Sequence, residues 1–458
     1  MKKILLSLTL ISVAFTGSAQ RYLGVSTGNW NALNSMYLNP AYLGGCNEKL
    51  AINLFSFNLG VDNNLGTISS LSDISNTTNS DGSNSIFKET GSGKFSMMVP
   101  SIEVRGPSIL YRINSKHTLA LSTRVRVFNE FNNFDRGLYS TINNPSAANP
   151  NINFSAQNFN WTAHLWSEVG LSYGGVAFDQ GPFKVKVGAT FRYLMGAGYM
   201  GVKGKNMDIS YTSGSDSFRA NNTDIEYASN VQSLDNGSSN GLSSSKIFGN
   251  SAGGKGFGTD LGAILVYKPN EDKDYTALVS LAITDIGFIN YNTSYNASVT
   301  GNGYISGSDI SKNVKSYDDL RAYALTKGYS VDTGTKATKV YLPTAMVGSI
   351  DFHAIKKFYI NATFIANMAK DENFGSKYYS QITFTPRWDT KVFSFGLPIT
   401  YNTLSHNMRL GMGLRLSGFF IGSDDMMANF SSNQYGYNVY VGGMIPIYRK
   451  SKSKQEGN

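Results

Sequence analysis

The residues of this chain that could do chemistry stand at alternate positions within apolar runs. Arg124 and Arg126 alternate with Leu119, Leu121, Val125 and Val127, and Arg192 closes a run of Phe, Val and Ala. Arg387 lies in a similar run, and Arg409 and Arg415 alternate with Met408, Leu410, Met412, Leu414 and Leu416. Glu168 and Asp260 occupy matching positions, with Glu103 and Asp285 as further acidic candidates. Guanidinium and carboxylate groups held this way have two uses. They can line a passage and select anionic or polar solutes, or they can pair with one another and brace a wall or hold a plug. Inward charges in barrels more commonly do the second. Gly411 and Gly413, on the same face, could relieve crowding or admit a plug.

Other chemistries lack their residues. The sequence has no G-x-S-x-G and no H-E-x-x-H, and Gly253-Gly254-Lys255-Gly256 leads into a strand rather than the helix a phosphate loop requires. His117, His164, His353 and His406 fall in different hairpins, where a solvated or interfacial role is expected. Cys46 is alone, so it can form neither an internal disulfide nor a cysteine metal site. No enzyme activity, cofactor or metal is expected.

The elements that position the charges are strands. From Phe183 to Tyr193 the odd positions are Phe, Val, Val, Ala, Phe and Tyr, while the even ones include Lys184, Lys186 and Arg192. A period of two sends successive side chains to opposite faces of a sheet. An Arg facing lipid costs about 2–4 kcal/mol at the bilayer midplane, so the arginines must point inward. The pattern predicts an all-β, transmembrane antiparallel β-barrel of about 14 strands with an N-terminal plug segment. The strands are expected at 50–60, 95–113, 117–129, 164–178, 183–194, 257–268, 275–290, 341–352, 358–368, 378–388, 392–401, 408–416, 419–425 and 437–448. Every short turn falls after an even-numbered strand, which places short turns and both termini on the periplasmic side and long loops outside. Those loops span about 61–94, 130–162, 199–255 and 290–340, the last with a helix at 317–327 begun by Ser316 and Asp319. Trp161, Trp388 and Tyr401 suit interfacial girdles.

Composition agrees. Aromatic residues make up 13% of the chain and charged residues only 16%. Residues 1–19 read as a signal peptide, with Lys2 and Lys3, a short apolar run and Gly17-Ser18-Ala19. The formal charge of +9 includes those two lysines and a net +3 in the basic tail 449–458, which leaves +4 and gives no reason to expect nucleic acid. Residues 20–48, ahead of the barrel at 49–448, are aromatic and compact in character. Trp30, Asn39, Pro40 and Ala41 are the plug candidates, a periplasmic linker being the alternative.

Several segments carry a resemblance: Tyr37-Leu38-Asn39-Pro40-Ala41, Arg105-Gly106-Pro107-Ser108, Phe257-Gly258-Thr259-Asp260-Leu261-Gly262, Thr284-Asp285-Ile286-Gly287, Leu342-Pro343-Thr344 and Ile421-Gly422-Ser423-Asp424. Together they resemble an uncharacterised family of outer-membrane barrels from Bacteroidota. The Asn-Pro-Ala segment is also similar to that of fatty-acid transporter-type barrels, and to PorP/SprF-like proteins of gliding motility and type IX secretion. These resemblances imply an outer-membrane location, the lipid bilayer as partner and delivery by the outer-membrane assembly machinery; they imply no substrate. Two functions remain open: a passive channel or uptake barrel for small or amphipathic solutes, and a non-transporting accessory that binds a protein partner through its long loops.

Overall fold

A computed structural model describes residues 22–68, 87–137, 139, 151–212, 217–230, 253–269, 274–313, 317–426 and 434–448. The expected signal peptide, the basic tail, the turn at 270–273 and the expected cap residue Ser316 lie outside the described residues. Fourteen antiparallel strands form a closed transmembrane barrel. They are β1 (Glu48–Asn63), β2 (Lys94–Arg105 and Ser108–Arg112), β3 (His117–Asp135), β4 (Asn151–Gln180), β5 (Phe183–Thr212), β6 (Gly254–Tyr267) and β7 (Ala277–Ser306). The ring continues through β8 (Ala345–Ile355), β9 (Phe358–Asn367), β10 (Gln381–Asp389), β11 (Phe393–Gly396 and Ile399–Asn402), β12 (Asn407–Leu410 and Met412–Leu416), β13 (Phe419–Ser423) and β14 (Gly436–Tyr448). Closure is by β1 against β14, from Glu48 opposite Tyr448 to Asp62 opposite Gly436. No described helix is long and apolar enough to cross a membrane; the crossing is made by strands.

Alternation decides which side chain faces where. Leu171, Phe191, Phe257, Ile350, Ile382 and Leu416 are all more than half exposed on the outer surface. In a soluble protein such a surface would be a liability; on a barrel it is the band that meets acyl chains. The tight connections, such as Gly181-Pro182 and Ser417-Gly418, gather at one end, and the long ones at the other. Trp388 and Tyr401 are half exposed near opposite ends, and Trp161 donates to Asn129 at 2.8 Å.

The structure departs from the sequence reading above the wall. Much of what reads as loop at 130–162, 199–255 and 290–340 is strand. β4, β5 and β7 each run thirty residues. An arm at Ser217–Ser229 pairs with both β5 and β7, and a second arm at Tyr329–Tyr341 pairs with β7. These parts are rich in Asn, Ser, Thr and Gly on both faces, because water lies on both sides. The backbone ladder persists there, but the hydropathy alternation that reveals it does not. The helix at Tyr317–Thr326 forms as expected and stops at Gly328, where φ is +92°.

The interior is packed. Leu23, Leu38, Met98, Phe128, Trp166, Leu194, Tyr199, Ile289, Tyr291 and Leu342 form one buried cluster inside the ring. About eight strands enclose just the space that wall side chains can fill, whereas 16 to 18 leave a water channel. A fourteen-stranded wall needs additional material to fill it, and two segments of the chain supply that material.

Candidate functional site

All eight charged candidates are buried, none more than 5% exposed. Five of them meet in one network. Arg124 on β3 pairs with Glu168 on β4 at 2.8 Å, with Glu103 on β2 at 3.1 Å and with Asp285 on β7 at 3.3 Å. Arg126 contacts Asp285 at 3.0 Å and Glu168 at 3.3 Å. Arg192 on β5 is bound by Asp260 on β6 and reaches Glu168 at 3.3 Å and Asp285 at 3.4 Å. Arg105 joins through Glu103 at 2.7 Å. Four arginines face four carboxylates, so the network is neutral and leaves no net charge to attract an ion. β3 and β7 are four strands apart in the ring, so the Arg126–Asp285 pair crosses the lumen.

The other three candidates stand apart from it. Arg387 pairs with Asp351 at 2.6 Å, and Arg415 reaches Asp389 at 3.3 Å. Arg409 is bound by Asp62 and lies 3.4 Å from Asp425. The sequence reading missed Asp62, Asp351, Asp389, Asp424 and Asp425. Asp351 was legible, since it falls on the inward parity of β8; Asp424 and Asp425 lie just past a strand end, where parity gives no guidance. His164 and His353 are buried inside the barrel, where a solvated or interfacial role was expected. His164 Nε2 lies 3.1 Å from the Tyr291 hydroxyl, and His353 stacks on Tyr359. Among the described residues no three His, Cys, Asp or Glu side chains are grouped to hold a metal.

Residues 22–47 form a floor across the short-turn end. Short helices at Leu23–Ser26 and Ala32–Ser35 and a 3₁₀ turn at Pro40–Leu43 follow one another, nearly all buried. Three carboxylates of the wall and its connections hold the floor by its backbone amides. Asp424 accepts from Leu23 at 2.9 Å and Gly24 at 3.0 Å, Asp389 from Asn29 at 2.6 Å, and Glu48 from Ala32 at 3.0 Å.

The four plug candidates spread along the floor. Trp30 packs edge-on against Tyr448, with ring centres 5.4 Å apart. Asn39 caps the 3₁₀ turn, accepting from Ala41 N at 2.9 Å, and donates to the carbonyls of Ala263 on β6 and Leu281 on β7 at 3.1 Å each. Pro40 and Ala41 press their backbone against Gly188 of β5, where any Cβ would collide with them. On the far side Gly413 gives Gly24 the same access, a Cβ there falling 2.6 Å from the Gly24 carbonyl carbon. That answers the question of the inward glycines: Gly413 admits the floor, while Gly411 abuts the backbone of Ser423 and Asp424.

The connection 368–380 between β9 and β10 closes the other end. It crosses the mouth to β3, seven strands from β10. Lys377 N donates to Glu130 at 3.0 Å and the Tyr379 hydroxyl to Asn132 at 3.3 Å. Phe374 packs on Tyr199 of β5 with ring centres 5.9 Å apart. Tyr378, expected to begin strand β10, instead turns into the lumen and its hydroxyl contacts Arg126. A water-sized space of about 20 Å³, lined by Glu130, Asn132, Asn160 and Ser376, remains beneath this lid.

A family model described as "Family of unknown function (DUF5723)" matches residues 40–424, and the chain belongs to that family. No curated protein matches the sequence. Among solved structures, the chain is similar to the toluene transporter TbuX of Ralstonia pickettii, with a TM-score of 0.41 and 10% identity over 91% of this chain and 94% of that one. A FadL homologue of Pseudomonas aeruginosa gives a TM-score of 0.41 and 10% identity over 94% of this chain and 96% of that one. The toluene transporter TodX of Pseudomonas putida gives 0.35 and 10% over 93% and 95%.

Proposed function

We propose that this protein is an outer-membrane uptake barrel for small or amphipathic solutes, held shut at rest by the floor at one end and the lid at the other. One observation carries this reading: a fourteen-stranded wall encloses two segments, 22–47 and 368–380, that fill its lumen without belonging to the wall. A barrel that only needed a solid interior could be built from fewer strands and no inserts. Inserts attached by hydrogen bonds to acceptors on the wall can leave it; wall side chains cannot. The neutral ion network fits a brace for the wall that stays in place while the inserts move. The exported location rests on the apolar outer band and the signal-like sequence at 1–19.

The test is conductance or liposome swelling with the purified barrel. Deleting residues 20–47 should raise flux, and removing the lid as well should raise it further. A barrel equally closed with and without both segments would sink the reading. A second reading draws on the sheet that β4, β5, β7 and the two arms carry beyond the membrane band. A surface that large could dock a surface or secretion partner. Crosslinked partners that vanish when 199–229 and 291–340 are shortened would favour it.

A further inference from the structure

Tyr378 is the one lid residue that reaches the ion network, and its surroundings form a site for a ring. Its edge meets the Phe128 ring at 5.7 Å between centres, and Phe128 stacks in turn on Trp166 at 5.5 Å. Its hydroxyl oxygen accepts from Arg126, whose guanidinium lies 5.1 Å from the Phe128 centre and 4.8 Å from that of Trp166. Arg126 is fully buried, and its Nε has no hydrogen-bond partner among the described residues. A phenol therefore sits edge-on to an aromatic ring with its oxygen on a buried cation, carried by a segment that is not part of the wall. The segment is anchored elsewhere, by the Lys377 amide, the Tyr379 hydroxyl and a backbone bridge in which Tyr341 N donates to the Phe374 carbonyl at 2.8 Å.

We infer that Tyr378 is a resident surrogate for the solute, and that the chamber it fills accepts a small neutral phenol. This names the substrate class of the uptake barrel proposed above and rests on that reading for its biological use. The Phe128 ring, backed by Trp166, selects a planar ring edge-on to it. Arg126 selects an acceptor oxygen on that ring, because a buried guanidinium donor left unsatisfied is costly. Charge selects neutrality. Asp285 and Glu168 already match Arg126 within a balanced network, so an aromatic carboxylate would enter with an uncompensated negative charge in a dry site. The solute binds by displacing Tyr378, which couples occupancy to lifting of the lid.

The experiment uses the full mature protein in detergent, with p-cresol, toluene and benzoate as probes. Calorimetry on Tyr378→Ala should show p-cresol binding about tenfold or more tighter than toluene, the difference expected from one hydrogen bond to a charged donor. Benzoate should bind more weakly than p-cresol, and wild type should bind p-cresol more weakly than Tyr378→Ala because it must first expel its own phenol. In wild type, p-cresol should also speed amide exchange across 374–380, a change that filling an empty hole would not produce. Toluene binding as tightly as p-cresol, benzoate binding more tightly, or lid exchange unmoved by p-cresol would each overturn the inference. The wild-type exchange measurement decides the matter even if the variant fails to fold. Binding is read without flux, so a barrel that binds p-cresol yet stays shut when both inserts are removed defeats only the uptake reading.

Discussion

At the residue scale, Asp285 is the shared acceptor of Arg124, Arg126 and Arg192, and its backbone sits at φ +57°. Asn tolerates that conformation, so Asp285→Asn isolates the charge. Breaking a buried pair by removing one partner costs about 3–5 kcal/mol. The variant should unfold at lower denaturant by that order, read by loss of the heat-modifiable band on electrophoresis; an unchanged midpoint would mean the network does not brace the wall. Asp424 accepts from the Leu23 and Gly24 amides, so Asp424→Ala should free that end of the floor and raise protease access to 22–47; unchanged access would show that this carboxylate does not hold the floor.

At the element scale, the floor depends on close backbone approach. Gly188→Leu puts a side chain where Pro40 and Ala41 lie, and β5 is held by ladders on both sides, so the floor should yield rather than the strand. The expected result is an intact, heat-modifiable barrel with higher single-channel conductance; unchanged conductance with 40–44 still protected from exchange would show that the floor does not govern passage. The wall itself was legible in the sequence, because lipid on one side and charge on the other stamp a period of two on every strand. Leu119 and Arg124, or Leu410 and Arg409, declare their faces without help. The floor was visible only as composition at Tyr37 to Gly45, since short helices inside a barrel have no single apolar face to display. The lid was not legible at all. Tyr378 shares the even, outward parity of Ile382 and Phe384 on β10, so alternation assigns its ring to the lipid face, and nothing local marks the tether that turns it into the lumen instead.

At the scale of the whole molecule, strand length separates what lies in the bilayer from what stands above it. Thirty residues at about 3.3 Å each give about 100 Å of strand, and even a strand tilted by 45° rises well past an apolar band about 25 Å tall. A single cysteine at Lys205, on β5 within the extension, should react with a membrane-impermeant maleimide on intact cells in a Cys46→Ser background. One at Thr390, in the turn after β10, should react only after the outer membrane is opened. Labelling in the opposite order would invert the proposed orientation.

The seam between β1 and β14 ties the floor to the moment of closure. Tyr22 packs at a tilt against Tyr440 and Trp30 edge-on against Tyr448, so the strand translated late is lined by rings of a segment translated early. That early segment is also continuous with β1, the other lip of the seam, through Glu48. The ring contacts that seat the floor are thus made at the seam itself, where closing the sheet brings Tyr440 and Tyr448 onto the rings of Tyr22 and Trp30.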